Sequence, residues 1–345
     1  MKRFLIYMLF ASLLAFNLAT AQLVDEQGIS MKKTGQSTMN FLQVSVVPKA
    51  IALGDAFTAT GVGVESMFYN PAGLSEIKSN YEVFMSMTQW IADINYIAGA
   101  AAWNMGNAGV LGLNFVTVDY GEIIGTRLVL IENAGTDQLG YEETGEVSNV
   151  GAFAFGLAYS RSITDKFMIG GSMRYAGQQL GQSILSRTGT DAKDNNQSKL
   201  VFDLGVKYYT PIKSFCFGMS IRNFSNAVKY EEITTQLPMT FAVGGAMDLM
   251  DFIMSEDSET SSLLATVEFT HPNNYTERIH MGLEYSFKDF LALRGGYITN
   301  HDVAGLSLGF GLFPKLMGTT AELSYTYSSM ELFDDVNRFS LRFAF

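Results

Sequence analysis

The sequence is poor in cysteine and in charge. Cys216 is its only cysteine in 345 residues, so an internal disulfide is excluded and no thiol redox chemistry is indicated. Charged residues make up 17% of the chain and leave a formal net charge of −11. A chain this acidic is not expected to bind nucleic acid, because such binding needs a basic surface.

Long apolar runs are also absent after residue 21. No later stretch approaches the 18 uninterrupted apolar residues that a membrane-spanning helix needs. Yet hydrophobic residues make up 48% of the chain, and the mean hydropathy is +0.13. An apolar chain without spanning helices either encloses a large core or presents its apolar surface to lipid as a closed β-barrel.

The first 21 residues have the pattern of a secretory signal peptide. Lys2 and Arg3 give a positive start, an apolar run extends from Phe4 to Phe16, and Ala19-Thr20-Ala21 supplies the small residues of a cleavage site. The sequence therefore predicts export across the inner membrane with cleavage after Ala21. The residue directly after that site is Gln22 and not a cysteine, so a lipid anchor is not expected.

From Tyr81 onward, apolar and polar residues alternate with a period of two in segments of about ten residues or more, which is the length of a tilted membrane-spanning strand. The pattern predicts fourteen strands, near 81–90, 93–103, 109–119, 148–162, 167–180, 198–210, 215–224, 236–249, 261–271, 276–287, 290–300, 303–313, 318–329 and 337–345. All six prolines lie outside strand centres.

These observations predict an all-β fold: a 14-stranded antiparallel transmembrane β-barrel over residues 81–345, in the outer membrane and in contact with its lipid. A soluble sandwich or propeller shows the same alternation. Strand length, the export signal and polar faces rich in glycine, serine and alanine favour the barrel. The closing Phe345 resembles the terminal aromatic residue that barrel-assembly machinery reads.

Residues 22–80 do not follow the strand rhythm and carry the most motif-like sequence. The stretches are Asn40-Phe41-Leu42-Gln43-Val44, residues 48–59 and Phe68-Tyr69-Asn70-Pro71-Ala72-Gly73-Leu74. They resemble the amino-terminal signature of the PorV/PorQ family, within the wider FadL-like superfamily. That resemblance implies fourteen strands and an amino-terminal luminal plug segment. Its motif residues are Leu53, Gly54, Asp55, Ala56, Phe57, Asn70, Pro71, Ala72, Gly73 and Leu74.

On the polar faces of the predicted strands, charges of both signs recur. They are Arg174, Asp203, Lys207, Arg222, Glu268, His280, Glu284, Arg294, Glu322 and Arg342. In a barrel filled by a plug, such residues are expected to pair across the lumen and hold the plug. The alternative is a polar path for a solute.

Patterns of catalytic or metal sites are weak. Gly305–Gly309 matches a hydrolase nucleophile elbow in letters, but Ser307 lies inside a predicted strand rather than on a strand–turn–helix. The three histidines are scattered, and Asp191, Asp194, Asn195 and Asn196 miss the spacing of a calcium loop. The chain is therefore not expected to be an enzyme or to hold a cofactor or metal.

The resemblance to PorV/PorQ implies a role in type IX protein secretion, with secretion-machinery proteins or cargo signal domains as partners. These would bind the predicted outer loops, at 120–147, 181–197, 225–235 and 329–336. Met330, Leu332 and Phe333 are the expected apolar contacts in the last of these loops.

A second hypothesis is a FadL-like transporter of hydrophobic small molecules such as long-chain fatty acids. It predicts an apolar pocket beneath the outer loops, for which the sequence offers the side chains of Phe41, Leu42, Val44, Val46, Val47 and Ile51. The same residues are needed to pack a plug. A structural barrel with neither activity is a third possibility.

Overall fold

The computed structural model describes residue 33 and residues 35–131, 138–147, 149–184, 192–230, 232–253, 261–288, 290–316 and 319–345. Residues 36–345 form one compact unit. The predicted signal peptide, its cleavage site and Asp191 lie outside the described residues.

Fourteen long strands form a single closed sheet. They are β1 Tyr81–Gln89, β2 Asn95–Asn104, β3 Val110–Asp119, β4 Val150–Thr164, β5 Phe167–Ile184, β6 Ala192–Tyr209, β7 Cys216–Phe224, β8 Thr240–Asp248, β9 Ser261–Pro272, β10 Arg278–Phe287, β11 Leu291–Ile298, β12 Ala304–Leu312, β13 Thr319–Met330 and β14 Val336–Ala344. Each pairs antiparallel with its neighbours in sequence. β1 also pairs with β14, from Glu82 opposite Ala344 to Gln89 opposite Asn337, and this closes the ring. The predicted fourteen-stranded antiparallel barrel is confirmed.

The two faces of each strand have opposite chemistry. In β1, Val83, Met85 and Met87 are exposed, whereas Glu82 and Phe84 on the other face are buried. Exposed apolar side chains continue around the ring, for example Leu113, Leu157, Leu204, Leu283, Leu293, Leu306 and Phe339. An apolar outer face over a polar inner face is the arrangement of a transmembrane β-barrel.

One end of the barrel carries short turns, and the other end carries long connections. At the short-turn end the connections include Gly106–Ala108 and residues 165–166. At the other end a loop hairpin pairs Ile124–Ile131 with Gln138–Glu146, and a second pairs Val228–Tyr230 with Ile233–Thr235. In outer-membrane barrels the longer loops face the cell exterior. β1 begins and β14 ends at the short-turn end, where Tyr81 and Phe345 exchange backbone hydrogen bonds of 2.9 and 3.0 Å.

Two connections depart from this pattern. The tight one between β1 and β2 is a 3₁₀ turn, Ile91–Asp93, in which Ala92 and Asp93 have φ of 55° and 59°. The connection after β8, at the short-turn end, begins with a one-turn helix, Met250–Ile253. A further two-residue strand, Lys315–Leu316, pairs with the start of β13.

Among the described residues, no helix combines the length and the apolarity needed to cross a membrane.

Residues 36–80, called the inner segment from here on, lie inside the ring. The segment contains 3₁₀ turns at Asn40–Gln43, Val64–Phe68 and Pro71–Glu76 and one short helix, α1, at Pro48–Ala52. Its backbone carbonyls accept hydrogen bonds from side chains on opposite parts of the wall: Ser86 to Val46, Thr326 to Pro48 and His280 to Gly54. Whether the segment acts as a plug, and whether its boundaries are 22 and 80, stay predictions.

Glycines in the wall allow this close packing. A Cβ atom on Gly296 would stand 1.8 Å from the backbone nitrogen of Gly54, and a Cβ on Gly205 would stand 1.9 Å from the Asn70 side-chain oxygen. No larger residue fits at either position without displacing the inner segment. The inner segment is thereby seated directly on the backbone of β6 and β11.

Candidate functional site

A cavity of about 560 Å³ opens at the long-loop end, between the inner segment and the wall. We call it the mouth cavity. Its described lining residues are Ser37, Thr38, Met39, Asn40, Phe41, Val44, Trp90, Tyr96, Tyr120, Gln178, Leu180 and Thr235. The volume falls within the range of small-molecule sites, which are about 300–1,000 Å³. Unlike the cavities of similar size on the apolar outer face, the mouth cavity lies against the inner segment, and this makes it the candidate ligand site.

One side of the mouth cavity is the 3₁₀ turn Asn40–Gln43. Met39, which precedes the turn, is buried and has a left-handed backbone with φ 54°. The Asn274 amide, between β9 and β10, donates to Ser37 Oγ at 2.7 Å and exchanges hydrogen bonds of 3.0 and 3.1 Å with the Gln43 amide. These bonds hold the turn against the opposite part of the wall. This side of the cavity therefore has a fixed position.

The opposite side is aromatic. Trp90 follows β1 and Tyr96 lies in β2, with their rings edge-to-face at a centroid distance of 6.5 Å. Tyr120 follows β3, and its hydroxyl accepts a 3.2 Å hydrogen bond from the Gln178 amide of β5. Since Tyr and Trp combine an apolar body with a polar group, this wall offers both stacking surfaces and hydrogen bonds.

Below Phe41 and Val44 lies a second, much smaller cavity of about 30 Å³, which we call the lower cavity. Both residues line the two cavities and so separate them. The lower cavity has room for about one water molecule. Its polar lining includes Tyr69, Arg174 and Arg222, so cationic groups first appear beneath the turn.

The two arginines of the lower cavity differ in their partners. Arg174 makes a bidentate pair with Asp203 at 2.7 and 2.8 Å and also donates to the Asn223 side-chain oxygen at 2.6 Å. Arg222 lies over the Tyr69 ring, 4.9 Å from its centre, and its buried Nε finds no partner among the described residues. Arg222 is thus the less neutralised cation of the two.

The Arg174 cluster also fixes a break in the sheet. Asn223 has φ 61°, and the register between β6 and β7 shifts between Phe202 and Leu204. The Asn223 backbone N–H, left out of the ladder, donates to Asp203 at 2.8 Å. A buried ion pair therefore satisfies the backbone of a β-bulge.

On the other side of the lumen, four charges of the wall and one of the inner segment form a single network. Arg294 contacts Glu284 at 2.5 Å and Glu322 at 2.8 Å, and Arg342 contacts the second oxygen of Glu322 at 2.7 Å. Lys49 of the inner segment lies 3.9 Å from Glu284. The carboxylates thereby link β10, β11, β13 and β14 to α1.

The remaining predicted inward charges contact the inner segment directly. Lys207 pairs with Glu76 and donates to the Gly61 carbonyl at 3.1 Å. Glu268 accepts from both the backbone N–H and the hydroxyl of Thr58, at 2.7 and 2.9 Å. Through these contacts each buried charged group of the wall gains a hydrogen-bond or ion-pair partner in the inner segment.

The predicted motif residues pack in the lumen core. Leu53, Ala56, Phe57, Ala72 and Leu74 are buried. Asp55 accepts from the Tyr69 hydroxyl at 2.5 Å and from Ser45 at 2.7 Å. The Asn70 amide donates to the carbonyls of Thr58 and Val206 at 2.8 and 2.9 Å. Pro71 and Gly73 lie in the turn that follows, so the motif residues hold the inner segment together and against the wall.

Among the described residues, three buried charges were missed by sequence reasoning: Glu65, Glu82 and Arg338. Arg338 in β14 is 1% exposed and donates to the Ser45 carbonyl at 3.2 Å and to Ser328 at 3.0 Å. Its guanidinium lies 5.3 Å from the centre of the Trp90 ring. Its position in the last strand, on the polar face and not on the face of Leu341, is the sequence feature that could have identified it.

Of the candidate lining residues, only some reach the mouth cavity. Phe41 and Val44 line it, whereas Val46, Val47 and Ile51 are buried in the core. Ser307, set aside as a nucleophile, lies within β12 and donates to Ser328 at 3.2 Å. Within the described ranges no group of three or more histidine, cysteine, aspartate or glutamate side chains is placed to hold a metal ion.

The expected loop contacts need one correction. Met330 was expected in an exposed loop, but it is the last residue of β13 and is 7% exposed, because its side chain points to the inner face. Leu332 and Phe333 lie beyond the strand and are 76% and 49% exposed. Phe345 is exposed on the outer face beside Tyr81, with ring centroids 5.9 Å apart.

His301 orders the connection between β11 and β12. Its Nδ1 accepts hydrogen bonds from the backbone N–H groups of Val303 and Ala304, at 3.2 and 2.9 Å. Burial, and next the positive charge of Arg278, lower the pKa of the His301 imidazole to about 4. The neutral ring is therefore the form that holds this loop.

Comparison with known proteins identifies a fold and no family. No family model and no curated protein sequence matches the chain. Among solved structures, the toluene transporter TodX of Pseudomonas putida is similar with a TM-score of 0.55 at 11% identity, covering 86% of this chain and 97% of TodX. The CymD monoaromatic hydrocarbon channel is similar with a TM-score of 0.53 at 13% identity, covering 88% of this chain and 98% of CymD. None of these matches supports the narrower resemblance to PorV/PorQ. The chain has the fold of FadL-like outer-membrane barrels.

Proposed function

We propose that this protein admits hydrophobic small molecules through the outer membrane, with the mouth cavity as their first binding site. The observation that carries the proposal is the position of this cavity. It lies at the long-loop end, is walled by Phe41, Trp90, Tyr96 and Tyr120, and stands directly above a lumen packed by the inner segment. A site with such a lining concentrates apolar molecules from water.

Two further points support transport. The structurally similar TodX and CymD are a toluene transporter and a monoaromatic hydrocarbon channel by their names. The inner segment separates the mouth cavity from the lower cavity only through the turn that carries Phe41 and Val44. We infer that a shift of this turn would join the two cavities during passage. The proposal involves no catalytic step.

Entry of a fluorescent hydrophobic probe tests the proposal. The chain is expressed in a host with a lipopolysaccharide-coated outer membrane, and uptake of 1-N-phenylnaphthylamine is followed against cells with an empty vector. We expect faster uptake with the native chain, and a several-fold loss with Trp90→Ala. Equal rates with and without the protein contradict the proposal.

Trp103→Ala is the matched control. Trp103 is the chain's other tryptophan and is 50% exposed on the outer face of β2. The same substitution there removes an indole from the lipid-facing surface and leaves the mouth cavity intact. If both variants lose uptake equally, the loss reports on barrel assembly and the cavity is not the entry site.

A second candidate function is the PorV/PorQ-like role in type IX protein secretion. The sequence resemblance over residues 40–74 and the exposed side chains of Leu332 and Phe333 favour it. Apolar side chains on a loop outside the membrane suit contact with a protein partner.

Affinity purification from outer membranes, with mass spectrometry of proteins and lipids, discriminates the two roles. Co-purified secretion proteins or signal-domain cargo, lost in a Leu332→Asp, Phe333→Asp variant, favour secretion. Bound apolar small molecules without protein partners favour transport.

A further inference from the structure

Arg342 of β14 is shared by three buried carboxylates. It contacts Glu322 at 2.7 Å and both Glu65 and Glu82 at 3.9 Å. Glu65 belongs to the Val64–Phe68 turn of the inner segment, whereas Glu82 and Glu322 belong to β1 and β13. One guanidinium therefore joins the inner segment to two strands of the wall.

Together with the Arg294 network, this arrangement contains more carboxylates than cations. The described groups in contact are the four carboxylates of Glu65, Glu82, Glu284 and Glu322 and the three cations Lys49, Arg294 and Arg342. All four glutamates are buried. An ionised carboxylate is costly to bury, and a buried carboxyl group without a cation of its own keeps its proton instead. The composition of the cluster therefore favours one proton among the four carboxyl groups.

Glu65 is the carboxylate with the weakest set of partners. Both oxygens of Glu322 accept from a guanidinium, at 2.8 and 2.7 Å, and Glu284 also pairs with a guanidinium, at 2.5 Å. Glu82 accepts a 3.0 Å hydrogen bond from a backbone N–H of the inner segment. Among the described residues, the Glu65 carboxylate accepts no hydrogen bond, and its ion contact is the one with Arg342 at 3.9 Å. Glu65 is therefore the group on which the proton is expected.

The other ionisable groups around the Val64–Phe68 turn do not supply a further cation. The turn also packs against β2, β3 and the Pro71–Glu76 turn. The ionisable side chains of these three elements are Tyr96, Asp119 and Glu76. Glu76 pairs with Lys207, and neither Tyr96 nor Asp119 is a cation in any protonation state. Within the described residues, Arg342 is thus the cation that Glu65 shares with two other carboxylates.

We propose that Glu65 holds a proton while the inner segment is packed in the lumen, and that loss of this proton releases the Val64–Phe68 turn from the wall. Ionisation leaves a buried negative charge without a cation of its own, and movement of the turn towards water relieves it. Met67 of the same turn belongs to the core that fills the lumen. The inference goes beyond the proposed function, because it concerns the packing of the segment and not the solute.

The packing of this turn is expected to weaken as the pH rises. Burial, and next the negative charge of Glu322, raise the pKa of the Glu65 carboxyl from 4.5 to about 7. Between these values the folded protein binds more protons than the unfolded chain, so stability falls with increasing pH. The contribution of the protonated carboxyl is complete below pH 4.5 and is lost as the pH rises to 7 and above.

Amide hydrogen exchange of the intact barrel in lipid nanodiscs tests the proposal. The reporters are the N–H groups of Ser66, Tyr69 and Asn70, which donate to carbonyls of the same turn or of Gly63 just before it. In Glu65→Gln a neutral amide replaces the carboxyl group. Dividing the native rates by the rates of this variant at the same pH removes the intrinsic pH dependence of exchange. We expect a ratio near one at about pH 4.5 and a ratio of about ten or more at about pH 8.

Glu268→Gln is the matched control. Glu268 is also buried and also contacts the inner segment, through Thr58, but it lies outside the Arg342 cluster. In this variant the exchange of the three reporters should keep the pH dependence of the native chain. A native ratio that does not change with pH overturns the proposal, and so does an equal loss of the pH dependence in Glu268→Gln.

Glu65→Leu, which is neutral and of similar size, supplies the reference rates if Glu65→Gln does not assemble. Failure of both neutral variants to assemble, in a host that assembles the native barrel, also overturns the proposal. The packed segment would then need the charge of Glu65, whereas the proposal assigns it the uncharged form.

Discussion

Asn70 is the residue that joins the inner segment to the wall most directly. It is fully buried, its amide donates to one carbonyl in the segment and one in β6, and its oxygen accepts from the Ala72 backbone at 3.1 Å. Removing such a side chain leaves buried carbonyls without a donor, which costs about 1–3 kcal/mol.

We therefore expect Asn70→Ala to lower the unfolding temperature of the barrel. The measurement is the temperature at which the folded band disappears in unheated gel electrophoresis. Asn80→Ala, at the exposed last residue of the inner segment, serves as the control and should leave that temperature unchanged. An unchanged unfolding temperature in Asn70→Ala would show that the hydrogen bonds of this amide do not stabilise the packing of the inner segment.

His301 gives a pH dependence whose direction follows from its bonds. The folded pKa of about 4 lies below the ordinary 6.5, so the folded protein binds fewer protons than the unfolded chain between these values. The stabilisation of the loop is complete above pH 6.5 and is lost as the pH falls towards 4.

We expect amide hydrogen exchange at Val303 and Ala304 to accelerate over that pH range relative to exchange in neighbouring strands. His301→Asn keeps an acceptor oxygen near the position of Nδ1 and does not titrate. In that variant the acceleration should vanish. An equal acceleration in both chains would assign the effect to other groups.

Two adjacent glycines of β11 face opposite sides of the wall, and only one of them contacts the inner segment. A Cβ on Gly296 meets Gly54 at 1.8 Å, whereas a Cβ on Gly295 points outward and meets only Leu308, at 3.6 Å. We expect Gly296→Ala to displace the inner segment and Gly295→Ala to be tolerated.

Limited proteolysis of the folded barrel in detergent measures the displacement. Cleavage at Lys49, which is held near Glu284 in the native chain, should appear in Gly296→Ala and not in Gly295→Ala. If Lys49 stays resistant to cleavage in both variants, the added methyl group displaces β11 and not the inner segment.

Strands were the elements that the sequence predicted best, and the reason is local. Each strand in a barrel has one lipid-facing and one luminal side, so a period of two is visible within ten residues. The mouth cavity was not predictable to the same degree. Its lining combines the inner segment with residues that follow β1, β3 and part of β5, and the Arg338–Ser45 contact joins residues 293 apart. No alternation in sequence reports such contacts.

At the scale of the whole molecule, barrel and inner segment behave as one packed body. The polar inner face is neutralised by the Arg294–Glu322 network on one side and by Arg174–Asp203 on the other, and both lie against the inner segment or beside the lower cavity. Between the mouth cavity and the short-turn end, Leu53, Phe57 and Met67 fill the centre. The described part of the inner segment thus fills the centre of the lumen, and the mouth cavity lies at its long-loop end.

This architecture predicts selective rather than general permeability. Liposomes containing the purified chain should swell in a neutral pentose no faster than protein-free liposomes, because the lower cavity holds only about 30 Å³, the space of one water molecule. A general porin in the same lipid provides the positive control. Swelling should rise in Gly296→Ala, where the inner segment loses its seat, and stay low in Gly295→Ala. Porin-like swelling of the native chain would contradict a lumen closed by the inner segment, since a filled lumen passes only molecules that displace it.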